Sequence, residues 1–231
     1  DAVWMVGMER NAHLVTMECY APLFTRLDPG GMQWQVNLIG YNSTTAYGSP
    51  SYYVQSMFSN YHGDEVVLLT AKDVPTREWQ PPSVAGIGPV PAGGASYAQT
   101  ARRDAGSTPA AQSDYNRRPI APQQPPAPVQ LPLLAFDSTR DSQTGTIYIK
   151  VVNRAETVQQ VHIRLTGVSS VASSGRLISM SGSGPTDTNT ITEPKKIAPV
   201  VTQVSGLGTD FTQSFARYSV NVLELKTVLS K

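Results

Sequence analysis

Apolar side chains return every three or four positions at the start of the chain, at Val3, Gly7 or Met8, Ala12 and Val15. That spacing predicts an amphipathic helix over about 2–13. The run 14-LVTMECYAP-22 is apolar and ends at Pro22, which predicts a short buried strand. A loop with Pro29-Gly30-Gly31 follows and leads to 49-SPSYYVQSMFSNY-61. There Ser49 takes the N-cap and Pro50 the first helical position, a strong start signal. Tyr53, Met57 and Tyr61 fall at i, i+4 and i+8 with Val54 and Phe58 beside them, giving one apolar face. Helix, strand, long loop, helix is the cadence of an α/β barrel. A whole barrel needs about 250 residues, so residues 1–72 would be only its end. Alone they would leave strand edges and apolar faces uncovered, and the chain is expected to begin inside a domain.

Further on, the period changes to two. In 146-TIYIKVVNR-154, Ile147, Ile149 and Val151 share one face, opposite Tyr148, Lys150 and Val152. In 158-VQQVHIRLTGV-168, Val161, Ile163 and Leu165 alternate with His162 and Arg164, so His162 reads as a solvent-face residue. The last strand is 218-YSVNVLELKTV-228, and turn signals stand at Asp141 to Gly145, Ser173 to Gly175, Ser181 to Pro185 and Gly206 to Thr209. Short alternating strands between such turns predict an antiparallel β-sandwich over 131–231. Asn189, in 187-DTNT-190, is expected to stabilise a turn by bonding local backbone.

Between these regions, residues 73–130 are rich in Pro, Gly, Ala and Gln and offer few large aliphatics to bury. Ordering them would cost more entropy than burial returns, which predicts a disordered or polyproline-like insertion. The segment 122-PQQPPAP-128 has the composition of an SH3-type ligand, but a plain linker is the simpler reading. Asp64 and Glu65 look like the polar exit into this insertion.

Composition narrows the function by exclusion. The formal charge of +1 gives no electrostatic reason to expect nucleic acid or an anionic membrane as partner. Arg102-Arg103 and Arg117-Arg118 are isolated pairs. No run approaches 18 apolar residues. The start, DAVWMVGMERN, has no basic n-region, start methionine or cleavage site, so either a leader and more has been removed or the sequence is part of a longer protein. Cys19, the only cysteine, lies in an apolar run and reads as a small buried hydrophobe rather than a nucleophile. His13, His62 and His162 lack metal-ligand spacing, so neither a metal site nor a cofactor is expected.

Several ordered blocks carry a resemblance. The blocks 9-ERNAHLVTMECYAPLF-24, Trp34 with 37-NLIGYN-42, and 48-GSPSYYVQSMFS-59 resemble the end of the catalytic barrel of glycoside hydrolase family 51, the α-L-arabinofuranosidases. The blocks 145-GTIYIKVVNR-154, 185-PTDTNTITEPKKIAPV-200 and 218-YSVNVLEL-225 resemble the carboxy-terminal domain of that family's longer, eukaryotic-like branch. The resemblance covers about 1–70 and 131–226. The fold it implies is mixed: the last helix-strand-helix of a (β/α)8 barrel followed by an antiparallel β-sandwich.

The activity it implies is retaining hydrolysis of terminal α-L-arabinofuranosyl units from arabinoxylan or arabinan, in L-arabinose metabolism. Retention uses two carboxyl groups about 5–5.5 Å apart, one nucleophile and one acid/base. In the family these are glutamates at the ends of barrel strands four and seven. The helix at 2–13 corresponds to the one after strand seven, so both glutamates are expected upstream and no catalytic residue in this chain. Glu9, beside Arg10, reads as a capping or salt-bridge residue. Glu18 stands where the family usually has a small residue, and one carboxylate cannot serve both roles. Trp34, Gln35 and Asn37, in the loop after strand eight, are the candidate substrate-binding residues, with packing as the other reading of Trp34. Val36 replaces a glutamine of the family's short branch. The expected partners are an arabinose-containing polysaccharide or oligosaccharide and the amino-terminal part of the same protein, outside the cell or in the periplasm. The alternative is a non-catalytic structural or carbohydrate-binding β-sandwich module.

Overall fold

The computed structural model describes residues 1–28, 37–81 and 127–229. The Pro29-Gly30-Gly31 loop, Trp34, Gln35 and residues 82–126 of the expected insertion lie outside the described residues.

Two units are present. One comprises Thr76–Leu131, where β5 (Thr76–Trp79) pairs with β6 (Val129–Pro132). The other comprises Asp1–Pro75 and Pro132–Lys231. It contains α1 (Ala2–Arg10), a small sheet of β1 (Phe24–Arg26), β2 (Ile39–Tyr41) and β3 (Ala46–Gly48), then α2 (Pro50–Asn60) and β4 (Glu65–Val66). Its remaining strands are β7 (Leu134–Arg140), β8 (Thr146–Asn153), β9 (Gln159–Arg164), β10 (Val168–Val171), β11 (Ser174–Ser181), β12 (Val200–Ser205), β13 (Asp210–Phe215) and β14 (Ser219–Leu229).

The large sheet runs β12-β11-β14-β8-β7-β4, with β10 joining the far end of β14. Its centre is buried on both faces. Ile147, Ile149 and Val151 of β8 meet Leu207, Phe211, Phe215, Leu223 and Leu225 beneath the β9–β13 pair. On the opposite face Val152, Ile178, Met180 and Val222 meet Met5 and Val6 of α1 and Val54, Met57 and Phe58 of α2. The sandwich is therefore present, and helices cover its second face. Each large apolar side chain taken out of water contributes about 1.5–3 kcal/mol, so the two clusters hold the layers together.

The helices follow their signals. Ser49 Oγ accepts from the Tyr52 amide at 3.2 Å, and Pro50 opens α2 as expected. The first helix stops at Arg10 rather than near 13. Asn11 is its C-cap and donates from Nδ2 to the Gly7 carbonyl at 2.7 Å, and the chain turns there.

The expected strand at 14–22 is not formed. Residues 11–19 are exposed and irregular, because a strand must share its amide and carbonyl groups with a neighbour and no strand among the described residues pairs with this segment. Cys19 is consequently free and exposed, not a buried hydrophobe. Asp64 and Glu65 are built into the sheet edge. Asp64 Oδ1 accepts from the Ser142 amide at 2.7 Å, and Glu65 pairs with Arg140 at 2.5 Å.

Candidate functional site

Charge collects where α1 meets the sheet. The alternation of β8 turns Lys150 toward the helices, between the inward-facing Ile149 and Val151 of the other core. Its side chain has no solvent exposure. Nζ donates to both carboxylate oxygens of Glu9, in the last turn of α1, and stands 4.6 Å from the centre of the Phe58 ring in α2. A buried ammonium needs such partners, since desolvation alone would cost several kcal/mol. Desolvation lowers the Lys150 pKa, while Glu9 and Asp137 oppose that shift.

Asp137 lies directly across from Lys150 in the β7–β8 register and is 1% exposed. Neither of its oxygens has a well-formed hydrogen bond, and the adjacent Ser138 amide lowers its pKa only slightly. Burial, and then the Glu9 carboxylate beside it, push its pKa up to about 8. It can bond to Glu9 only as a protonated acid, because two carboxylates offer acceptors alone. The cluster thus holds two carboxyl groups against one ammonium, in a setting that favours a retained proton.

Glu9 also faces an open hollow of about 240 Å³, lined among others by Met8, Met17, Glu18, Phe58 and His62. Glu18 is exposed. This arrangement does not make a glycosidase pair. Retaining chemistry needs two carboxyl groups facing one sugar, whereas Glu9 is engaged by Lys150 and Asp137 is shut away behind it.

The other expected site residues fare differently. Asn37 is half-buried just before β2, next to the buried Leu38. Trp34 and Gln35 are outside the described residues. His162 is exposed on β9, as its alternation predicts, and shares Asp210 with Arg164. Tyr148 packs partly against the helix-side core. Sequence reasoning assigns Glu9 to a cap or salt bridge, and the structure supplies the salt bridge. It does not find Lys150 or Asp137. The one available signal was a lysine in the middle of an apolar strand, which alternation alone assigns to a solvent face.

Comparison with known proteins places the chain. The family described as "Alpha-L-arabinofuranosidase C-terminal domain" matches residues 1–219. Alpha-L-arabinofuranosidase A of Aspergillus niger is 42% identical over 73 residues, 31% of this chain and 11% of that one. An extracellular exo-alpha-L-arabinofuranosidase of Streptomyces chartreusis is 39% identical over 75 residues, 32% of this chain and 9% of that one. An arabinose-bound GH51 α-L-arabinofuranosidase shares the fold with a TM-score of 0.65 at 23% identity, covering 98% of this chain and 26% of the other. The enzyme of Thermotoga maritima, in complex with arabinose, gives 0.64 at 15% identity, covering 98% and 38%. These alignments take in only a minor share of each relative. The match over residues 1–219, spanning helices and sandwich alike, means that the chain belongs to the α-L-arabinofuranosidase C-terminal domain family.

Proposed function

We propose that this chain is the carboxy-terminal part of a retaining α-L-arabinofuranosidase that releases terminal non-reducing arabinofuranosyl units from arabinoxylan or arabinan. The observation that carries the reading is the family match across residues 1–219. Both catalytic glutamates then belong to upstream polypeptide. Residues 1–72 serve as the last helix-strand-helix of the barrel and 131–231 as the accessory sandwich, with 73–130 inserted between them. Trp34, Gln35 and Asn37 contribute to the wall of the arabinose site.

Surface chemistry supports the reading. Trp4, Leu14 and Met17 are 74%, 73% and 86% exposed, and all stand in the segment that would adjoin the rest of a barrel. Exposed large apolar side chains gain from burial against further polypeptide. With a barrel strand beside it, the 14–22 segment gains the hydrogen-bond partners that a strand requires. Action outside the cell fits a polymeric substrate, and the Streptomyces relative is named extracellular. No helix among the described residues is long and apolar enough to cross a membrane.

The test is complementation. The upstream polypeptide, produced separately, is mixed with this chain and assayed on a chromogenic α-L-arabinofuranoside. Hydrolysis by the mixture, absent from either part, supports the proposal. Arabino-oligosaccharide binding by this chain with no activity in the mixture would favour a non-catalytic binding module.

A further inference from the structure

We propose that Glu9, Lys150 and Asp137 form a proton-bearing lock that fastens α1 to the sheet, and that the lock loosens when its proton is lost in alkaline solution. Three ionisable side chains from three elements meet between α1 and the sheet, the buried Asp137 of β7 and Lys150 of β8 behind Glu9 of α1, which opens onto the hollow. The fourth element, α2, presents the uncharged ring of Phe58 to Lys150. Glu18 and His62 are the other ionisable groups lining the hollow onto which Glu9 opens. The neighbouring strand β4 brings Glu65, which is engaged with Arg140 at the strand end.

Charge balance then determines which group keeps the proton. Both Glu9 oxygens accept from Lys150, so one carboxylate and one ammonium cancel. A second ionised carboxylate would be buried with no well-formed hydrogen bond and would face a like charge. Asp137 is the group in that position, and its pKa is raised to about 8 by burial and by Glu9. Protonated, it becomes the donor that Glu9 can still accept from, and it joins β7 to α1. Deprotonated, it repels Glu9 and competes for Lys150.

The sign follows from linkage. A carboxyl whose pKa is higher folded than unfolded stabilises the fold fully below the unfolded value of 3.8 and loses that contribution as pH rises toward 8. The loss should concentrate in α1, the element that the proton helps to hold.

The experiment is amide hydrogen exchange of residues 2–10 in the 231-residue chain between pH 6 and 9, corrected for the intrinsic rate. The native protein should lose α1 protection by at least about tenfold across this range, one pKa unit of linkage corresponding to one decade. Asp137→Asn, which keeps a donor without a titrating proton, should lose the Asp137 step and keep only the change due to the amino group of Asp1 at the cap of α1, whose pKa desolvation lowers. Should that variant fail to fold, Glu9→Gln serves instead. It removes the like charge and leaves Asp137 free to pair with Lys150, so the step should move to lower pH or vanish. A flat profile in the native protein, or the same loss in native protein and variant, would overturn the proposal.

Discussion

Asn189 reaches 141 residues back along the chain to donate from Nδ2 to the Gly48 carbonyl at 2.9 Å. The same amide group donates to the Ile197 carbonyl at 2.8 Å, and Oδ1 accepts from the Ile197 amide at 2.7 Å. One buried side chain therefore closes the loop before β12 and ties it to the entrance of α2. Asn189→Ala would strand three backbone groups, two of them on Ile197 in the helix-side core. Each unpaired buried group costs about 1–3 kcal/mol. Chemical unfolding should show a loss of about 2–4 kcal/mol in total, since the loop can relax toward water. A loss below about 0.5 kcal/mol would mean that the anchor contributes little.

The pairing of Lys150 with Glu9 should show strong non-additivity. Lys150→Met leaves Glu9 without its ammonium and should destabilise by about 3 kcal/mol, the low end for a broken buried pair because Glu9 can turn toward the open hollow. The double change with Glu9→Leu removes both charges, and apolar replacement of a buried pair is often neutral. Unfolding free energies of the two single variants and the double variant form the necessary cycle. The double variant is expected to be more stable than Lys150→Met alone.

What the sequence disclosed divides along physical lines. The faces of β8 were legible because Ile147, Ile149 and Val151 repeat with the period of a strand, and the cap of α2 because Ser49 and Pro50 act locally. That the opposite face is also buried was not legible, since it depends on α1 and α2 folding back over it. Local turn formation by Asn189 was visible in the sequence, but its bond to Gly48 was not. The apolar run at 14–22 has the composition of a strand, yet composition does not supply a pairing partner. Among the site residues, Glu9 was expected in a cap or a salt bridge, and its partner was not legible because Lys150 is 141 positions away.

On the acid side, Asp187 should dominate locally. Ser183 donates to it from both side chain and amide, and with Lys196 holds its pKa down at about 2. A depressed carboxyl contributes stability above the unfolded value of 3.8, lost as pH falls toward 2. Asp187→Asn should reduce the slope of the stability profile between pH 4 and 2, to which Asp64, Asp141 and Asp210 also contribute, while leaving the profile from 6 to 9 unchanged. Thermal midpoints across both ranges provide the check, and an unaltered acid limb would contradict the assignment.

Trp4, Leu14 and Met17 should make the 231-residue chain self-associate on its own. Trp4→Lys with Leu14→Ser is expected to reduce sedimenting oligomers and binding of a hydrophobic dye. Surface changes of this kind usually move stability by less than about 0.5 kcal/mol. A large loss of stability would mean instead that these side chains support the fold of the isolated chain.

The most direct test of the central claim is hydrolysis of a chromogenic α-L-arabinofuranoside by the purified 231-residue chain, beside its Glu18→Gln variant. If the catalytic glutamates lie in upstream polypeptide, neither protein turns over substrate. Turnover by the chain would contradict the account, and its loss in Glu18→Gln would place a catalytic carboxylate within the chain itself.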